Sequence, residues 1–256
     1  MSVLLENEKE PWQYNAGVPQ GSCAGPILWL LIANETLNKF GVETEVKVQA
    51  FADNFFVLIG STASYHFSQI GTSALAKLEK WAEDFSLSFS YEKSKFTMLK
   101  QRKNITHIPT IKLLSKRIQY SKELKYLGLT IDPNFSWMPH LNKLNEKITK
   151  LQQKIYRISR VTWGLQPEVI KEIYLRVNEK IIFYGKEIWF NENVAMREKL
   201  FQIQRSGLLT KQLDLLSKTH KTVSTFALNL LTDCPPIDIK IKEENEIWQQ
   251  QEIKNL

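Results

Sequence analysis

Residues 46–59 read VKVQAFADNFFVLI and decide the fold of the first half of the chain. The run from Val46 to Phe51 alternates apolar and polar residues, which is typical of a strand with one buried face. The run from Phe55 to Ile59 is continuously apolar and indicates a second strand. The polar break Ala52-Asp53-Asn54 separates the two runs, so the stretch predicts a β-hairpin with an acidic tip.

A turn and a hydrophobic helix are predicted before this hairpin. Residues 17–22 read GVPQGS, in which proline fixes one backbone angle and the glycines permit unusual ones. Residues 26–34 read PILWLLIAN and are apolar on nearly every side, which predicts a buried helix that starts at Pro26. A turn, a buried helix and a hairpin are therefore expected in that order.

The pattern after the hairpin changes from mixed to helical. A helix is predicted over Ser64 to Phe85, and short strands are predicted at 95–99, 111–114 and 126–131. From Leu141 onward two apolar stripes have helical spacing: Ile148, Leu151, Ile155 and Ile158, then Val169, Ile173, Val177 and Ile181. The sequence thus predicts an α+β fold that becomes mostly α-helical, with a boundary near residues 133–140.

The basic residues are concentrated in the middle of the chain. The net charge of the 256 residues is +7. Residues 1–60 carry 3 basic and 7 acidic groups, residues 61–160 carry 18 and 7, and residues 161–256 carry 13 of each. The excess in the middle is compatible with a polyanionic partner such as nucleic acid, and equally with a solvated lysine-rich face.

The number of cysteines and the length of the apolar runs indicate where in the cell the protein is expected. Cys23 and Cys234 do not make a disulfide framework, which favours an intracellular location, in the nucleus or the cytoplasm. The acidic start of the chain does not predict a signal peptide. The run from Pro26 to Ala33 is too short to cross a bilayer, so no membrane partner is expected. The scattered histidines do not predict a zinc site.

The order of GVPQGS, an apolar helix and FAD inside a hydrophobic hairpin resembles the palm of reverse transcriptases. Later segments resemble the non-LTR, LINE-type (Jockey-like) group: WAEDFSLSFSYEKSKFTML at 81–99, KYLG at 125–128 with Asp132, and Trp137 with His140. Looser similarity includes Trp163-Gly164-Leu165 and Tyr184-Gly185. Each motif is weak alone, but their order over roughly residues 14–240 is specific.

The resemblance implies a fold, an activity and partners. The expected fold is a partial palm, an antiparallel sheet with packed helices, over residues 1–135, followed by a helical thumb and C-terminal region over 136–256. The implied activity is that of an RNA-directed DNA polymerase, a nucleotidyltransferase, with Mg²⁺ as cofactor. The implied partners are an RNA template and a DNA primer.

The resemblance also assigns roles to particular residues. Asp53 would bind metal, because Mg²⁺ prefers hard oxygen ligands, and Asn54 stands where the family usually has a second Asp. Lys93 matches the family lysine near the nucleotide phosphates. The contacts with nucleotide and template–primer would come from seven residues: Gln20, Gly21, Phe51, Ala52, Tyr126, Leu127 and Gly128.

The same residues also have purely structural interpretations. Asp53 could occupy an ordinary hairpin turn, Lys93 could belong to a solvated charge run, and Gln20 with Gly21 could form a plain loop. Tyr126 and Leu127 could be core residues beside a turn glycine. Five aromatic residues of the helical region could stack on bases, although their spacing favours core packing: Trp163, Tyr174, Phe183, Tyr184 and Trp189.

The set of metal-binding carboxylates is incomplete in this sequence. The family's other metal-binding Asp lies on a strand before GVPQGS, and the residues before Gly17 include no Asp, only Glu6, Glu8 and Glu10. Asn54 keeps an oxygen ligand but loses a negative charge. A single carboxylate does not organise two Mg²⁺ ions, so we expect no polymerisation by this chain alone. The alternatives are a non-catalytic nucleic-acid-binding module and a decayed retroelement product without selected function.

Overall fold

A computed structural model describes most of the chain and divides it into two compact units. The described residues are 2–3, 12–13, 17–18, 21–40, 45–61, 64–99, 108–160, 167–208 and 224–255. One unit comprises Met1–Phe96 and Lys103–Tyr120, and the other comprises Thr97–Arg102 and Ser121–Leu256. The first mixes helices and strands and the second is mostly helical, in agreement with the predicted α+β composition.

The first unit is built around two helices and a long hairpin. Its elements in chain order are β1 (Ser2–Val3), β2 (Trp12–Gln13), α1 (Ala24–Phe40), β3 (Val46–Phe51), β4 (Asn54–Ile59), α2 (Ser64–Asp84), β5 (Lys95–Phe96), β6 (Lys112–Leu113), β7 (Lys116–Arg117) and β8 (Gln119–Tyr120). A hydrophobic core joins the hairpin to both helices through Phe40, Val46, Ala74 and Leu78. The predicted helix over Ser64 to Phe85 is confirmed.

The predicted hairpin is also confirmed, with a tighter turn than expected. Strands β3 and β4 are antiparallel, and Phe51 pairs directly with Asn54. Asn54 is therefore the first residue of a strand, and the loop consists of Ala52 and Asp53 alone. Ala52 has a φ of +49°, a conformation that residues with a side chain rarely adopt.

Helix α1 is less buried than the sequence predicts. It begins at Ala24, where the Ser22 hydroxyl accepts a hydrogen bond from the Ala24 N–H at 3.3 Å, so Pro26 lies within the first turn. One face packs on the core through Ala33, Thr36 and Phe40. The exposed fractions of Ile27, Leu30 and Leu31 lie between 62% and 66%. The prediction of a fully buried helix was wrong because the neighbouring elements of this unit cover one side of it.

The strands do not join into one antiparallel sheet. In the described part of the chain they form separate two-stranded pairings, and β5 with β8 is parallel. Strands of two residues, bounded by turns such as Leu114-Ser115, are too short to recruit a third partner. The expected antiparallel pairing is therefore present within β1–β2, β3–β4 and β6–β7, but in the described part of the chain these pairs do not join into one sheet.

The second unit contains a short hairpin followed by helices. Its elements are β9 (Leu124–Tyr126), β10 (Leu129–Ile131), α3 (Met138–Arg160), α4 (Pro167–Ile173), a π-helical turn (Tyr174–Asn178), α5 (Glu179–Phe183), α6 (Lys186–Trp189), α7 (Val194–Leu208), α8 (Thr225–Thr232) and α9 (Ile237–Asn255). Residues 126–131, which were predicted as one strand, contain the last residue of β9, the turn Leu127-Gly128 and strand β10. The main segment of this unit begins at Ser121, and the domain boundary at 135–136 stays a prediction.

The core of the second unit lies among α3, α6, α7 and α9. Its most deeply buried side chains are Leu141, Ile148, Trp189, Met196, Leu200, Ile203, Ile237 and Ile241. The stripe predicted through Ile148 is confirmed at that residue, whereas the side chain of Ile158 lies outside the described residues. No helix in the described part of the chain is long and apolar enough to cross a membrane.

The second predicted stripe was wrong at two positions. Val169 and Val177 are 43% and 37% exposed, and the buried side chains in this region include Tyr174, Asn178, Glu179 and Ile182. The π-helical turn at Tyr174–Asn178 explains the exposure of Val177, because its wider turn changes the angular position of the residues within it. A periodicity that assumes 3.6 residues per turn cannot follow that change.

Candidate active site

The hairpin tip presents a carboxylate to solvent. Phe51, Ala52, Asp53 and Asn54 are all exposed, and together they form the end of the β3–β4 hairpin. The side-chain amide of Asn54 donates a hydrogen bond to Asp53 Oδ1 at 3.0 Å. The four residues assigned to the site at this end of the hairpin are therefore brought together.

Trp29 anchors the tip and was missed by sequence reasoning. Its indole Nε1 donates a hydrogen bond to the carbonyl oxygen of Ala52 at 2.6 Å. Its ring lies 6.4 Å from that of Phe55 and 6.3 Å from that of Trp81, and the Phe55 and Trp81 centroids are 5.3 Å apart. A tryptophan in an otherwise aliphatic helix is a signal for this role, because its N–H usually finds an acceptor when the ring is packed.

The donor set at the tip does not fit a complete centre for two Mg²⁺ ions. Asp53 supplies one carboxylate, and one of its oxygens already accepts the Asn54 amide. Across the described ranges, no group of three or more Asp, Glu, His or Cys side chains is arranged to hold a metal ion. Two Mg²⁺ ions held about 3.5–4 Å apart require oxygen ligands from more than one carboxylate. Asp53 can therefore act only as one ligand within a larger set.

The remaining assigned residues of the first unit lie apart from the tip in sequence. Gly21 is exposed with a φ of +88°, and a Cβ built on it would meet no atom of the described residues within 4 Å. Glycine is therefore favoured at this position by the backbone conformation. Gln20 lies outside the described residues. Lys93 is exposed in the turn at 91–93, where the Ser94 N–H donates to the Tyr91 carbonyl at 3.1 Å.

The residues Tyr126, Leu127 and Gly128 form the turn of the β9–β10 hairpin. Tyr126 pairs with Leu129, so the loop consists of Leu127 and Gly128 alone. Their φ angles are +44° and +83°, as a two-residue type I′ turn requires. Leu127 and Gly128 are exposed, whereas Tyr126 is half-buried. This turn and the Asp53 tip belong to different compact units.

Asp132 is a structural residue that holds the loop before helix α3. Its carboxylate accepts hydrogen bonds from the backbone N–H groups of Asn134, Ser136 and Trp137, at 3.3, 3.1 and 2.9 Å. Burial disfavours the charged carboxylate, but these hydrogen bonds outweigh it and hold the pKa of Asp132 below its ordinary value. Three backbone N–H groups thus engage both carboxylate oxygens, which gives Asp132 a structural role.

A basic stripe on helix α3 was also missed. We use this name for five exposed cations on one helix face: Lys143, Lys147, Lys150, Lys154 and Arg157. Their alternating spacing of four and three residues places them on one side of the helix, opposite the buried Leu141, Leu144 and Ile148. Lys143 is paired with Glu123 at 2.6 Å. The spacing was readable from the sequence beside the apolar stripe of the same helix.

The aromatic residues of the second unit divide between core and surface. Tyr174, Phe183 and Trp189 are buried, which confirms the expectation of core packing. Tyr184 is 57% exposed, so core packing was wrong for this residue. Burial, with smaller contributions from Glu179 and Cys234, raises the pKa of Tyr174 far above its ordinary value. Trp163 lies outside the described residues.

Comparison with known proteins places the chain in a family. The family described as "Reverse transcriptase (RNA-dependent DNA polymerase)" matches residues 3–131. The chain is 26% identical to a 115 kDa protein of the type-1 retrotransposable element R1DM of Drosophila melanogaster, over 88% of this chain and 21% of that protein. It is 29% identical to a Pol polyprotein of element R1 from Bradysia coprophila, over 68% and 17%.

A further relative belongs to a different element. The chain is 26% identical to the RNA-directed DNA polymerase from the mobile element jockey of Drosophila melanogaster, over 74% of this chain and 20% of that protein. The chain thus spans about a fifth of the length of these three relatives. No solved structure matches it. Because the family match covers half of the chain and both R1 and jockey are non-LTR retrotransposons, the chain belongs to the non-LTR reverse transcriptases.

Proposed function

We propose that this chain holds the RNA template–DNA primer duplex of a non-LTR retrotransposon reverse transcriptase and contributes Asp53 to its catalytic centre. The observation that carries the proposal is the basic stripe on α3. Six Lys or Arg residues and one acidic residue, Glu146, occur along this helix. A row of exposed cations on a helix whose opposite face is fixed in a core is suited to bind a polyanion.

The dimensions of the stripe fit a nucleic-acid backbone. Lys143 and Arg157 are fourteen residues apart, which corresponds to about 21 Å along a helix that rises 1.5 Å per residue. Successive phosphates of one strand are separated by about 3.4 Å along a duplex axis, so the stripe spans roughly six of them. Contacts of this kind fix the position of the duplex and do not read its sequence.

The assigned contacts at the hairpin tips extend this proposal. Both hairpin ends are exposed: one consists of Phe51, Ala52 and Asp53, and the other of Leu127 and Gly128. Each is held by a side-chain hydrogen bond to its backbone, from Trp29 to the Ala52 carbonyl and from Tyr184 to the Leu127 carbonyl. Exposed, fixed tips are suited to meet a bound duplex at defined points. We assign the first tip, with Gly21, Gln20 and Lys93, to the nucleotide side and the second, with Tyr126, to the primer side.

We also propose that these 256 residues do not polymerise DNA by themselves. The tip offers one carboxylate, and Asn54 supplies an amide where a second charge would strengthen the hold on a divalent cation. A ligand set of one carboxylate is insufficient for the two-metal chemistry of nucleotidyl transfer. By itself the chain would act as a nucleic-acid-binding module, with polymerisation dependent on carboxylates from elsewhere.

A salt titration of duplex binding tests the proposal. The affinity of the purified chain for an RNA–DNA heteroduplex would be measured by fluorescence anisotropy between 50 and 200 mM salt. The four cations of the stripe other than Lys143, which is paired with Glu123, predict a log–log slope of about −3 to −4. Replacing Lys150→Glu and Lys154→Glu together should reduce the magnitude of the slope by about 2 and weaken binding to every sequence alike.

A matched control separates the stripe from the general charge of the chain. Lys47 and Lys80 are exposed lysines on β3 and α2, and Lys47→Glu with Lys80→Glu makes the same change in net charge. The control should leave most of the slope intact. Equal losses in both double variants, or binding that does not respond to salt, would refute the assignment of the stripe.

A further inference from the structure

The turn of the β9–β10 hairpin has a conformation that its own sequence does not favour. Leu127 has a φ of +44°, although a bulky side chain is strained at positive φ. Strands β9 and β10 have three residues each, and a two-stranded hairpin of that length is not stable alone. An additional contact must therefore hold Leu127 and Gly128 in place.

Tyr184 provides that contact. Its hydroxyl donates a hydrogen bond to the carbonyl oxygen of Leu127 at 2.8 Å. Its ring lies against Gly128 so closely that a Cβ on that residue would come within 2.9 Å of Tyr184 Cε1. Glycine is therefore required at position 128 for two reasons: the positive φ and the close approach of the Tyr184 ring.

The position of Tyr184 is fixed in turn by the core of the second unit. The indole Nε1 of the fully buried Trp189 donates to the Tyr184 carbonyl oxygen at 2.9 Å. The next residue, Gly185, has a φ of +66°, and a Cβ there would lie 3.1 Å from Leu129 Cδ2. A continuous set of contacts therefore runs from buried Trp189 through Tyr184 to the exposed turn.

Both ends of the outer contact are at the surface. Tyr184 is 57% exposed and Leu127 is 36% exposed, so this is not an ordinary core contact. A ring that is packed on one side and open to solvent on the other adds rigidity where a ligand can approach. Since we assign Leu127 and Gly128 to the primer side, rigidity at this point would fix the location of the primer strand.

We propose that Tyr184 is a positioning residue for the primer, which acts by holding the Leu127–Gly128 turn in the conformation that contacts the DNA 3′ end. This inference rests on the proposed function of the Tyr126–Gly128 turn. It predicts that the hydroxyl of Tyr184 affects discrimination between primer ends more than it affects attachment to the duplex, which the basic stripe provides.

The test compares two heteroduplexes of equal length with the full 256-residue chain. One has a DNA 3′ end recessed behind an RNA overhang, and the other has the same DNA strand ending flush with the RNA. The ratio of the two dissociation constants measures recognition of the primer end. We expect Tyr184→Phe, which removes only the hydroxyl, to reduce this ratio by about five-fold, the effect of one hydrogen bond.

Tyr65→Phe is the matched control. Tyr65 is 69% exposed on α2, where its hydroxyl accepts a hydrogen bond from Gln69 at 2.8 Å. The ratio should not change in this variant. Amide hydrogen exchange at Leu127 to Ile131 should accelerate in Tyr184→Phe and not in the control, as a readout that does not involve nucleic acid.

Each other outcome overturns the inference in a recognisable way. A ratio preserved in Tyr184→Phe, or a wild-type chain that binds both duplexes equally, would show that Tyr184 does not position a primer, while duplex binding stands. An equal loss of affinity for both probes would show a general structural role. A wild-type chain that binds neither probe would overturn the proposed function and this inference with it.

Discussion

His140 is a buried imidazole that joins strand β10 to helix α3. Its Nδ1 accepts a hydrogen bond from the Thr130 N–H at 3.4 Å. Its ring lies 6.5 Å from that of Trp137 and 5.8 Å from that of Trp189. Burial and the nearby charge of Lys143 lower the pKa of His140 to about 4. Trp137 and His140 therefore have a structural role in this chain, because both side chains are buried within the fold.

The pKa of His140 predicts a loss of stability in acid. The folded-state pKa lies below the ordinary value of 6.5, so the stabilisation is fully present above pH 6.5 and is lost as the pH falls toward 4. The free energy of unfolding should fall by roughly 1–2 kcal/mol between pH 7.5 and 5. Urea unfolding of the chain at pH 7.5 and at pH 5 measures this difference in the free energy of unfolding.

Substitution of the histidines identifies the source of this pH dependence. His140→Gln should remove most of the fall between pH 7.5 and 5, whereas His66→Gln, at an exposed position on α2, should retain it. The lowered pKa of Asp132 affects stability at lower pH than His140 does, because the stabilisation by the Asp132 carboxylate is lost only below about pH 4. The same pH dependence in both histidine variants would contradict the role given to His140.

Trp29 links the hairpin tip to helix α1. Trp29→Phe keeps an aromatic ring beside Phe55 and Trp81 but removes the hydrogen bond to the Ala52 carbonyl. The free energy of unfolding should fall by about 1 kcal/mol, and amide exchange at residues 51–54 should accelerate. Faster exchange throughout the unit, without a preference for the tip, would contradict a local anchoring role.

At the scale of elements, the accuracy of sequence reasoning depended on how local the determining contacts are. The hairpin over residues 46–59 was predictable because its alternation and its turn lie within one short stretch. The exposed side of α1 was not, because periodicity describes which residues are apolar and not which neighbours cover them. The π-helical turn at Tyr174–Asn178 and the close approach of Tyr184 to Gly128 depend on distant packing, which no local pattern specifies.

Helix α3 combines a core face and a charged face, and the two should respond differently to substitution. Ile148 is fully buried, so Ile148→Ala should lower the free energy of unfolding by roughly 2–4 kcal/mol through lost packing and a cavity. Lys147→Ala, one residue earlier on the exposed side, should change it by less than about 0.5 kcal/mol. Urea unfolding of both variants measures this, and similar values would contradict the assigned orientation of the helix.

At the scale of the whole molecule, the assigned contacts are distributed over two compact units. Asp53, Asn54, Gly21 and Lys93 belong to the first unit, and the primer-side turn and the basic stripe belong to the second. The family match ends at residue 131, while similarity to the R1DM protein of Drosophila melanogaster covers 88% of the chain. Most of the helical unit that we propose to hold the duplex is thus part of the shared sequence.

The most direct measurement is Mg²⁺-dependent primer extension on an RNA template by the purified 256-residue chain. The chain would first be shown to be folded and to bind the heteroduplex, and Asp53→Ala would be assayed in parallel. We predict salt-sensitive binding and no extension by either protein, because one carboxylate does not hold two Mg²⁺ ions. Extension by the wild-type chain that Asp53→Ala abolishes would contradict this account and would mean that residues within the chain complete the metal site.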